Sequence, residues 1–460
     1  MHDNMQMLEK SSIGRTLISL SIPGTIAMLV NAMYNIVDTV FIGQGVGTLG
    51  IAAVAIYLPI QLLVFAFAQM IGIGAASYMS RSMGAKNLEK MNYIAGNSFL
   101  YSGILGIIFV TVGITFTEPV LRFFGASSTI MPFAVDYARI MFIGTLYYPL
   151  CTSSNSLMRG EGNALDAMIC MIIGFAVNII LDYVFIFPLS MGVKGAALAT
   201  VIAKFCSLLY LIYYLNSKKT IIKISPEYLR FDREIFWETI TVGFASFVIG
   251  GTRSLSCIVS NHVLGFYGGD LAVAVYGVIY KVIMFLGMPV SGITQGMRPL
   301  IGYNYGAKQY RRVIKTIKLG LFYSSLLAGI GTLLVELFPA FIMSLFSKDA
   351  ELIKNGTAAL RLTLLMIPFI GIQMIGTTIF QALGRAKTAV TIALLRQGLI
   401  FVPLILLIPV FMNDKLLGIW LSFPLSDLIS ILIIAPVIKR EIDILYHLEA
   451  KKTKQGVLGR

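Results

Sequence analysis

Long apolar segments separated by short polar loops constrain most strongly how this chain can fold. A membrane-spanning helix needs about 20 mostly apolar residues. Twelve segments satisfy this condition: 16–42, 48–78, 93–116, 132–157, 166–188, 195–215, 235–263, 271–300, 319–342, 356–383, 388–411 and 416–437. With 57% hydrophobic and only 13% charged residues, the chain has more apolar surface than a soluble domain can bury. We therefore predict an all-α polytopic membrane protein with twelve transmembrane helices in a lipid bilayer.

The positions of Lys and Arg predict the orientation. If both termini are cytoplasmic, 24 of the 36 Lys and Arg residues lie in inner segments and 5 in outer loops. Multi-pass proteins keep an excess of positive charge in short cytoplasmic loops. We therefore expect both termini in the cytoplasm. The net charge of +14 is accounted for in this way, and we expect no nucleic-acid partner.

Cysteine and histidine offer no pattern for a metal site. The four cysteines all lie in apolar segments, and the three histidines are scattered along the chain. Neither a C-x-x-C pair nor a zinc-like spacing is present. We expect no cofactor and no metal, apart from Na⁺ at the ion-coupling site described below.

An internal repeat divides the chain. "SMGAKN" at 82–87 returns as "NYGAKQ" at 304–309, and Gly162 of "MRGEGNA" aligns with Gly384 of "FQALGRA", both with an offset of 222 residues. Arg139 and Arg361 share this offset. An even number of helices per copy gives a parallel repeat, which some transporter folds use. The predicted parts are an N-terminal six-helix lobe, a cytoplasmic linker, a C-terminal six-helix lobe and a cytoplasmic tail, at 1–215, 216–234, 235–438 and 439–460.

Ionisable residues distinguish the first copy from the second. Asp38 and Asp182 lie inside predicted spans, as do Asn178 and Thr200. In the second copy, 222 residues later, the positions equivalent to Asp38, Asp182, Asn178 and Thr200 hold Ser260, Leu404, Ile400 and Ser422, respectively. An ionisable group inside a bilayer is costly and is a functional hypothesis by default.

Counting residues from the loops places these four side chains at one depth, in the outer half of the first lobe. Asn178 and Asp182 are four residues apart and share a helix face. Two carboxylates with an amide and a hydroxyl can bind a cation or share a proton. The alternative is a buried polar network that only ties three helices together.

The same residues carry a resemblance to a known family. "SIPGTIAMLVNAMYNIVDTVFIG" (21–43) resembles the first helix of the multidrug and toxic compound extrusion (MATE) family, with Pro23 at its bend. "NIILDYVFIF" and "MGVKGAALATVIA" resemble the fifth and sixth helices. Within the family, the chain is most similar to the MepA-like bacterial branch. The resemblance implies two parallel six-helix lobes and a bacterial or archaeal cytoplasmic membrane.

The resemblance also implies a function. Family members export organic cations and drugs in exchange for inward H⁺ or Na⁺. It assigns ion coupling to Asp38, Asp182, Asn178 and Thr200, and bending to the first helix. One departure concerns the second lobe, where NorM-type members have acids in helices 7 and 10. Here those helices offer Arg253, Gln373 and Gln381.

Further span residues are candidates for a substrate cavity or for balancing charge. Candidates for the cavity are Asn31, Tyr34, Gln69, Met70, Tyr147, Arg253 and Lys281. Lys204 lies one turn from Thr200 and is a candidate counter-ion for the two aspartates. Arg396 and Asp427 come out at similar depth, and we predict an ion pair between them.

Two other functions are alternatives. A lipid-linked precursor flippase of the same superfamily is the main alternative, because Arg253 and Lys281 would suit an anionic substrate, although flippases of this kind usually have additional helices. An intramembrane enzyme such as a prenyltransferase is disfavoured because no D-D-x-x-D cluster occurs. We therefore expect no enzymatic activity, and we expect a monomer.

Overall fold

The computed structural model describes the backbone of residues 2–458, and their side chains except those at 2–4, 35, 39, 48, 49 and 454–458. Residue 1 of the predicted N-terminal lobe and residues 459 and 460 of the predicted tail lie outside the described residues. The described part of the chain is almost entirely helical and contains no β-strand.

Among the described residues, nine α-helices precede the linker. They are α1 (His2–Lys10), α2 (Ile13–Gly45), α3 (Thr48–Gly84), α4 (Leu88–Thr115), α5 (Thr117–Phe123), α6 (Met131–Gly144), α7 (Tyr148–Gly160), α8 (Ala164–Ile186) and α9 (Gly192–Leu215). A short 3₁₀ helix at Pro226–Leu229 lies within the linker.

Eight α-helices follow the linker in the part of the chain that the structure describes. They are α10 (Arg233–Gly306), α11 (Tyr310–Leu337), α12 (Pro339–Ser344), α13 (Ala350–Leu364), α14 (Ile370–Ala382), α15 (Ala386–Leu394), α16 (Val402–Phe411) and α17 (Lys415–Leu458). A 3₁₀ helix at Ile367–Phe369 joins α13 to α14, and a π-helical segment at Leu395–Phe401 joins α15 to α16.

These helices account for the twelve predicted spans. Ten helical segments among the described residues are long and apolar enough to cross a membrane. One of them, α10, holds two spans, because the backbone leaves the helical region at Gly269. Another predicted span, 132–157, consists of the shorter helices α6 and α7. The prediction of an all-α, twelve-span fold is confirmed.

The repeat is visible in the backbone. The limits of α4 return in α11, and those of α7 return in α14, each 222 residues later. Left-handed backbone conformations recur with the same offset: Gly47 (φ 85°) and Gly269 (φ 62°), Lys86 (φ 60°) and Lys308 (φ 55°), Gly162 (φ 89°) and Gly384 (φ 74°). The duplication therefore extends to the turns that join the helices.

Side-chain caps start two helices of the first copy. The Asn87 side chain accepts a hydrogen bond from the Lys90 amide (2.9 Å) at the start of α4. Asn163 does the same for the Asp166 amide (3.2 Å) at the start of α8. Such caps satisfy backbone donors that the first turn of a helix leaves unpaired.

The chain forms two compact units. Unit 1 contains residues up to Lys10 and Ile26–Gly243, and unit 2 contains Ser11–Thr25 and the residues from Phe244 onward. The first part of α2 belongs to unit 2 because glycines allow it to approach α10 closely: a Cβ at Gly292 would lie 2.0 Å from Thr25 Oγ1. The lobe limits given by the sequence remain a prediction.

The linker is held on unit 1 by a buried carboxylate. Glu161, in the turn between α7 and α8, accepts hydrogen bonds from the Ile221 amide (2.9 Å), the Thr220 hydroxyl (3.0 Å) and the Tyr214 hydroxyl. Burial raises the pKa of Glu161 from its usual 4.5 to about 7. The segment after α9 is therefore an ordered part of unit 1.

An aromatic cluster fills the core of unit 1 near Asp38. The Tyr57 ring contacts the rings of Tyr137 and Phe142 edge-to-face, with centroids 5.5 Å apart in both cases. All three side chains are buried. Edge-to-face pairs stabilise a core by about 0.5–1.5 kcal/mol beyond the area they bury. This cluster fixes α3 and α6 beside the site described next.

Candidate functional site

Three helices of unit 1 bring four polar side chains together. Asp38 lies on α2, Asn178 and Asp182 lie on α8, and Thr200 lies on α9. Asn178, Asp182 and Thr200 are buried, with at most 4% of each residue exposed. The structure thus places in one cluster the four residues that depth counting assigned to one layer.

Hydrogen bonds centre on the Thr200 hydroxyl. Asn178 Nδ2 donates to Thr200 Oγ1 (3.4 Å), and the Tyr34 hydroxyl lies 3.2 Å from the same oxygen. Tyr34 is one helical turn before Asp38 on α2. These bonds fix the relative positions of α2, α8 and α9 around the two carboxyl groups.

The two carboxyl groups themselves are poorly satisfied. Within the described part of the chain, neither oxygen of Asp182 nor the Oδ1 of Asp38 has a partner at hydrogen-bond length and angle. The two groups interact electrostatically with each other, and Asn178 is near Asp182. Two like charges in a buried site are unfavourable unless a proton or a cation lies between them. The arrangement is therefore suited to bind one.

A tyrosine that sequence reasoning missed completes this site. The Tyr137 side chain, on α6, is 3% exposed, and its hydroxyl interacts electrostatically with both Asp38 and Asp182. Tyrosine within an apolar segment is usually a core residue, so no local pattern pointed to Tyr137. Tyr137 lies two residues before Arg139, which aligns with Arg361 in the repeat. That alignment does not show which way the Tyr137 ring faces.

Lys204 lies next to this site but contacts aromatic rings. Its Nζ is 5.3 Å from the centroid of the Tyr34 ring and 5.5 Å from that of Tyr148. No ion pair joins Lys204 to Asp38 or Asp182 in the residues that the structure describes. Cation–π contacts stabilise a desolvated ammonium by up to about 2 kcal/mol. The counter-ion role remains a prediction.

The candidate cavity residues of the first copy differ in exposure. Asn31 is exposed, Gln69 and Tyr147 are half-buried, and Met70 is buried. The Tyr147 hydroxyl donates to the Val201 carbonyl (2.5 Å), so it braces α9. Pro23 is buried within the continuous helix α2.

The candidates of the second copy are cations. Arg253 and Lys281, both on α10, are exposed. Lys281 Nζ lies 5.9 Å from the centroid of the Phe346 ring. The repeat equivalents of Asp38 and Thr200, Ser260 and Ser422, are buried serines.

The predicted ion pair of unit 2 is present. Arg396 Nε donates to Asp427 Oδ1 (2.7 Å), and Gln373 Nε2 donates to the same oxygen (3.3 Å). The ion pair predicted from depth is therefore confirmed.

Comparison with known proteins gives consistent matches. A sequence model of the MatE family matches residues 23–184 and again residues 246–407, a spacing within one residue of the repeat offset. The chain is 29% identical over 403 residues to the multidrug export protein MepA of Staphylococcus saprophyticus, covering 88% of this chain and 89% of the relative. It is 27% identical over 408 residues to MepA of Staphylococcus aureus strain COL, with the same coverage.

Solved structures share the fold. A multidrug resistance MATE family transporter of the MOP superfamily in an outward-facing conformation matches with a TM-score of 0.91 and 24% identity, covering 97% of this chain and 99% of the other. A MOP superfamily transporter from Pyrococcus furiosus, described as having a binding pocket of reverse polarity, matches with a TM-score of 0.90 and 25% identity over 96% and 99%.

Proposed function

The chain belongs to the MatE family, whose members are membrane transporters rather than enzymes, and from this premise we propose that it is a secondary active multidrug antiporter. It exports organic, mostly cationic lipophilic compounds in exchange for inward H⁺ or Na⁺. The name multidrug export protein that its staphylococcal relatives carry supports drugs as substrates. The protein works as a monomer in the cytoplasmic membrane of a bacterium or archaeon, with both termini in the cytoplasm.

The carboxyl pair of Asp38 and Asp182 carries this proposal. Both groups lie in membrane-spanning helices, interact with each other, and have buried oxygens without hydrogen-bond partners among the described residues. Apolar residues would join three helices with less cost, as Leu404 shows at the position equivalent to Asp182. A site that is incomplete without a cation suits ion coupling, with Asn178 and Thr200 as supporting ligands.

Helix α2 links this site to conformational change. Pro23 cannot donate a backbone hydrogen bond to Ser19, so the helix bends most easily there. Residues Ser11–Thr25 belong to unit 2, whereas the part of α2 that carries Tyr34 and Asp38 belongs to unit 1. When an ion neutralises the carboxyl pair, α2 bends near Pro23 and substrate is released outward. The ion thus shifts a two-state equilibrium.

Substrate binds to soft and polar residues of the first copy. Asn31, Tyr34, Gln69 and Met70 lie on α2 and α3, and Tyr147 lies next to α7. Methionine and aromatic side chains adapt to ligands of different shape, which suits a broad substrate range. Tyr34 contacts both the coupling site and Lys204, so it can transmit the ionisation of the acids to the bound drug.

Transport in proteoliposomes tests the proposal. Purified protein should move ethidium against its gradient when an inward H⁺ or Na⁺ gradient is imposed, and the gradient that works identifies the ion. Asp38→Asn should lose this transport, whereas Asp136→Asn, which changes a half-buried acid paired with Lys194 (3.2 Å), should keep it. Full gradient-driven transport by Asp38→Asn would refute the mechanism.

One observation favours a second function. Arg253 and Lys281 are exposed cations in membrane-spanning helices, and no acidic partner of either occurs among the described residues. They would suit the anionic head group of a lipid-linked precursor. A flippase would translocate a fluorescent phospholipid-linked substrate and would not export ethidium, so the same vesicles separate the two functions.

A further inference from the structure

Unit 2 holds a charged cluster that the proposed ion coupling does not use. Asp427 on α17 is 4% exposed and receives hydrogen bonds from Arg396 (2.7 Å) and from Gln373 on α14 (3.3 Å). Because both donors reach the same carboxylate oxygen, the guanidinium and the amide are neighbours. The cluster is not the repeat counterpart of the Asp38 site, which Ser260 replaces.

The cluster lies near the middle of the membrane. Arg396 is ten residues after Ala386, the start of the 26-residue span Ala386–Phe411. At a rise of about 1.5 Å per residue it lies about 15 Å from the inner end of that span. An ionisable residue at this depth is costly and is a functional hypothesis by default.

Local backbone geometry also marks this position. Arg396 lies in the π-helical segment Leu395–Phe401, which ends just before Pro403. Proline cannot donate to the carbonyl four residues earlier, and the wider turn accommodates this loss. π-Helical turns inside α-helices occur frequently at functional sites.

The Arg396 guanidinium keeps unused hydrogen-bond donors. Among the described residues, Asp427 is its one hydrogen-bonding and ion-pairing partner, through Nε. The terminal nitrogens have no partner in that part of the chain, and the side chain remains 24% exposed. A guanidinium binds a planar carboxylate with two parallel N–H···O bonds, so the terminal edge can take a second carboxylate.

The Gln373 side chain also keeps an unused hydrogen-bonding atom among the described residues. Gln373 is 5% exposed, and its Oε1 is buried without a hydrogen-bond partner in the part of the chain that the structure describes. Its orientation is fixed because Nε2 must face the Asp427 carboxylate. A buried acceptor of this kind costs about 1–3 kcal/mol unless a donor reaches it. The cluster thus offers donors for an acid and an acceptor for an N–H or O–H group.

We propose that Arg396 binds the carboxylate of amphiphilic organic acids and zwitterions, with Asp427 orienting the guanidinium and Gln373 accepting a hydrogen bond from the same ligand. This inference rests on the proposed export function and names the side chains that recognise a substrate carboxylate. Asp427 balances the charge of Arg396 when the site is empty, so the cation can persist in the membrane. A zwitterion then brings its carboxylate to the free edge together with its own cation, so the total charge stays at zero, whereas an organic acid adds one negative charge.

A pair of dyes tests this assignment. Rhodamine 110 carries a free carboxylate, and rhodamine 123 is its methyl ester, so the two differ only in the group that Arg396 is proposed to bind. Fluorescence anisotropy with purified protein gives both dissociation constants, and their ratio is the readout. A general loss of folding affects both dyes and does not shift this ratio selectively.

Three variants are compared with the wild type. Arg396→Lys keeps the charge but loses the planar fork, and the double variant Arg396→Gln/Asp427→Asn removes both charges without leaving one unpaired. In each of these two variants, the dissociation constant of rhodamine 110 should rise about tenfold relative to that of rhodamine 123. This change corresponds to about 1.4 kcal/mol of lost carboxylate binding. The control is Arg361→Gln, whose guanidinium lies 3.7 Å from Glu336 and outside this cluster, and its ratio should stay at the wild-type value.

The outcomes separate this inference from the proposed function. If vesicles with wild-type protein export rhodamine 123 but no Arg396 variant shifts the ratio, the pair is structural and the inference is overturned. If the wild type binds the acid and the ratio shifts, but neither dye is exported along an ion gradient, the site stands and the antiport function fails. Binding of neither dye by the wild type overturns both.

Discussion

Replacing Asp182 by asparagine should stabilise the protein while abolishing its transport. Both carboxylate oxygens of Asp182 are buried and lack hydrogen-bond partners among the described residues, and the group faces the like charge of Asp38. Asparagine has nearly the same shape, removes one charge, and supplies an N–H donor for the unpartnered Oδ1 of Asp38. The exchange therefore removes an electrostatic conflict without leaving a cavity.

The size of the gain follows from these contacts. An unsatisfied buried polar group costs about 1–3 kcal/mol, and at least one such cost is relieved. For domains of about 150–250 residues, 1 kcal/mol corresponds to about 2–4 °C in Tm. We expect Asp182→Asn to raise Tm by at least about 2 °C. Active sites often store instability of this kind, so a stabilising change that removes function is expected.

A matched control lies on the same helix. Asp166, in the first turn of α8, accepts hydrogen bonds from the Tyr210 hydroxyl (2.7 Å), Asn163 Nδ2 (2.8 Å) and Lys219 Nζ (3.1 Å). Asp166→Asn turns one acceptor oxygen into an NH₂ donor beside existing donors and should destabilise by about 1–3 kcal/mol. The same substitution thus has opposite predicted signs at two positions of α8.

Thermal unfolding in detergent, followed by tryptophan fluorescence, measures both variants. The buffer should be free of Na⁺ and at pH 8.5, because a bound coupling ion would stabilise the wild type and mask the gain. Raising the concentration of the ion that drives transport should stabilise the wild type but not Asp182→Asn. A lower Tm for Asp182→Asn under ion-free conditions would refute the reasoning, since it would mean that the carboxylate is already satisfied.

Three further substitutions test other parts of the account. Glu161 has a higher pKa in the folded protein (about 7) than in the unfolded chain (4.5), so it contributes stability that is fully present below pH 4.5 and is lost by about pH 7. The loss is about 3 kcal/mol, and Glu161→Gln should remove this part of the pH dependence of Tm between pH 4.5 and 8. Gly243→Ala should prevent normal folding, because its Cβ would lie 1.8 Å from the Met70 carbonyl oxygen. Gly250→Ala should be tolerated, because no atom lies within 4 Å of its Cβ. Size-exclusion chromatography of the purified variants shows the difference. Thr200→Val keeps the shape but removes the hydroxyl that two side chains contact, so half-maximal transport should need about tenfold more coupling ion, while Thr200→Ser should behave like the wild type in the same vesicle assay.

Much of the fold followed from the sequence because two strong signals agree. Apolar length defined the spans, and the offset of 222 joined Gly84 to Gly306 and Gly162 to Gly384. The structure repeats that offset in helix limits and in left-handed turn residues. The breaks between α6 and α7 and between α13 and α14 were not predicted, because an apolar segment that changes direction has the same composition as a straight one.

The candidate site was only partly predictable. Residue counting gives depth along a helix, so it brought Asp38 to the level of Asp182, and Arg396 to the level of Asp427. It gives little information about where a long side chain ends. For Lys204, the sequence predicts a position near the acids but not the contacts of its ammonium with the Tyr34 and Tyr148 rings, and its role as a counter-ion stays a prediction. The contribution of Tyr137 likewise depends on the packing of α6, which no local pattern encodes.

The central claim is that the carboxyl pair binds the coupling ion and that drug and ion compete. Calorimetric titration of purified protein with ethidium tests this directly, in buffers of different ionisation enthalpy and at several Na⁺ concentrations. For the wild type we predict either release of protons on drug binding or weaker drug binding as Na⁺ rises. For Asp38→Asn both dependences should vanish while the drug still binds. An unchanged dependence in Asp38→Asn would contradict the claim that this pair couples ion to drug.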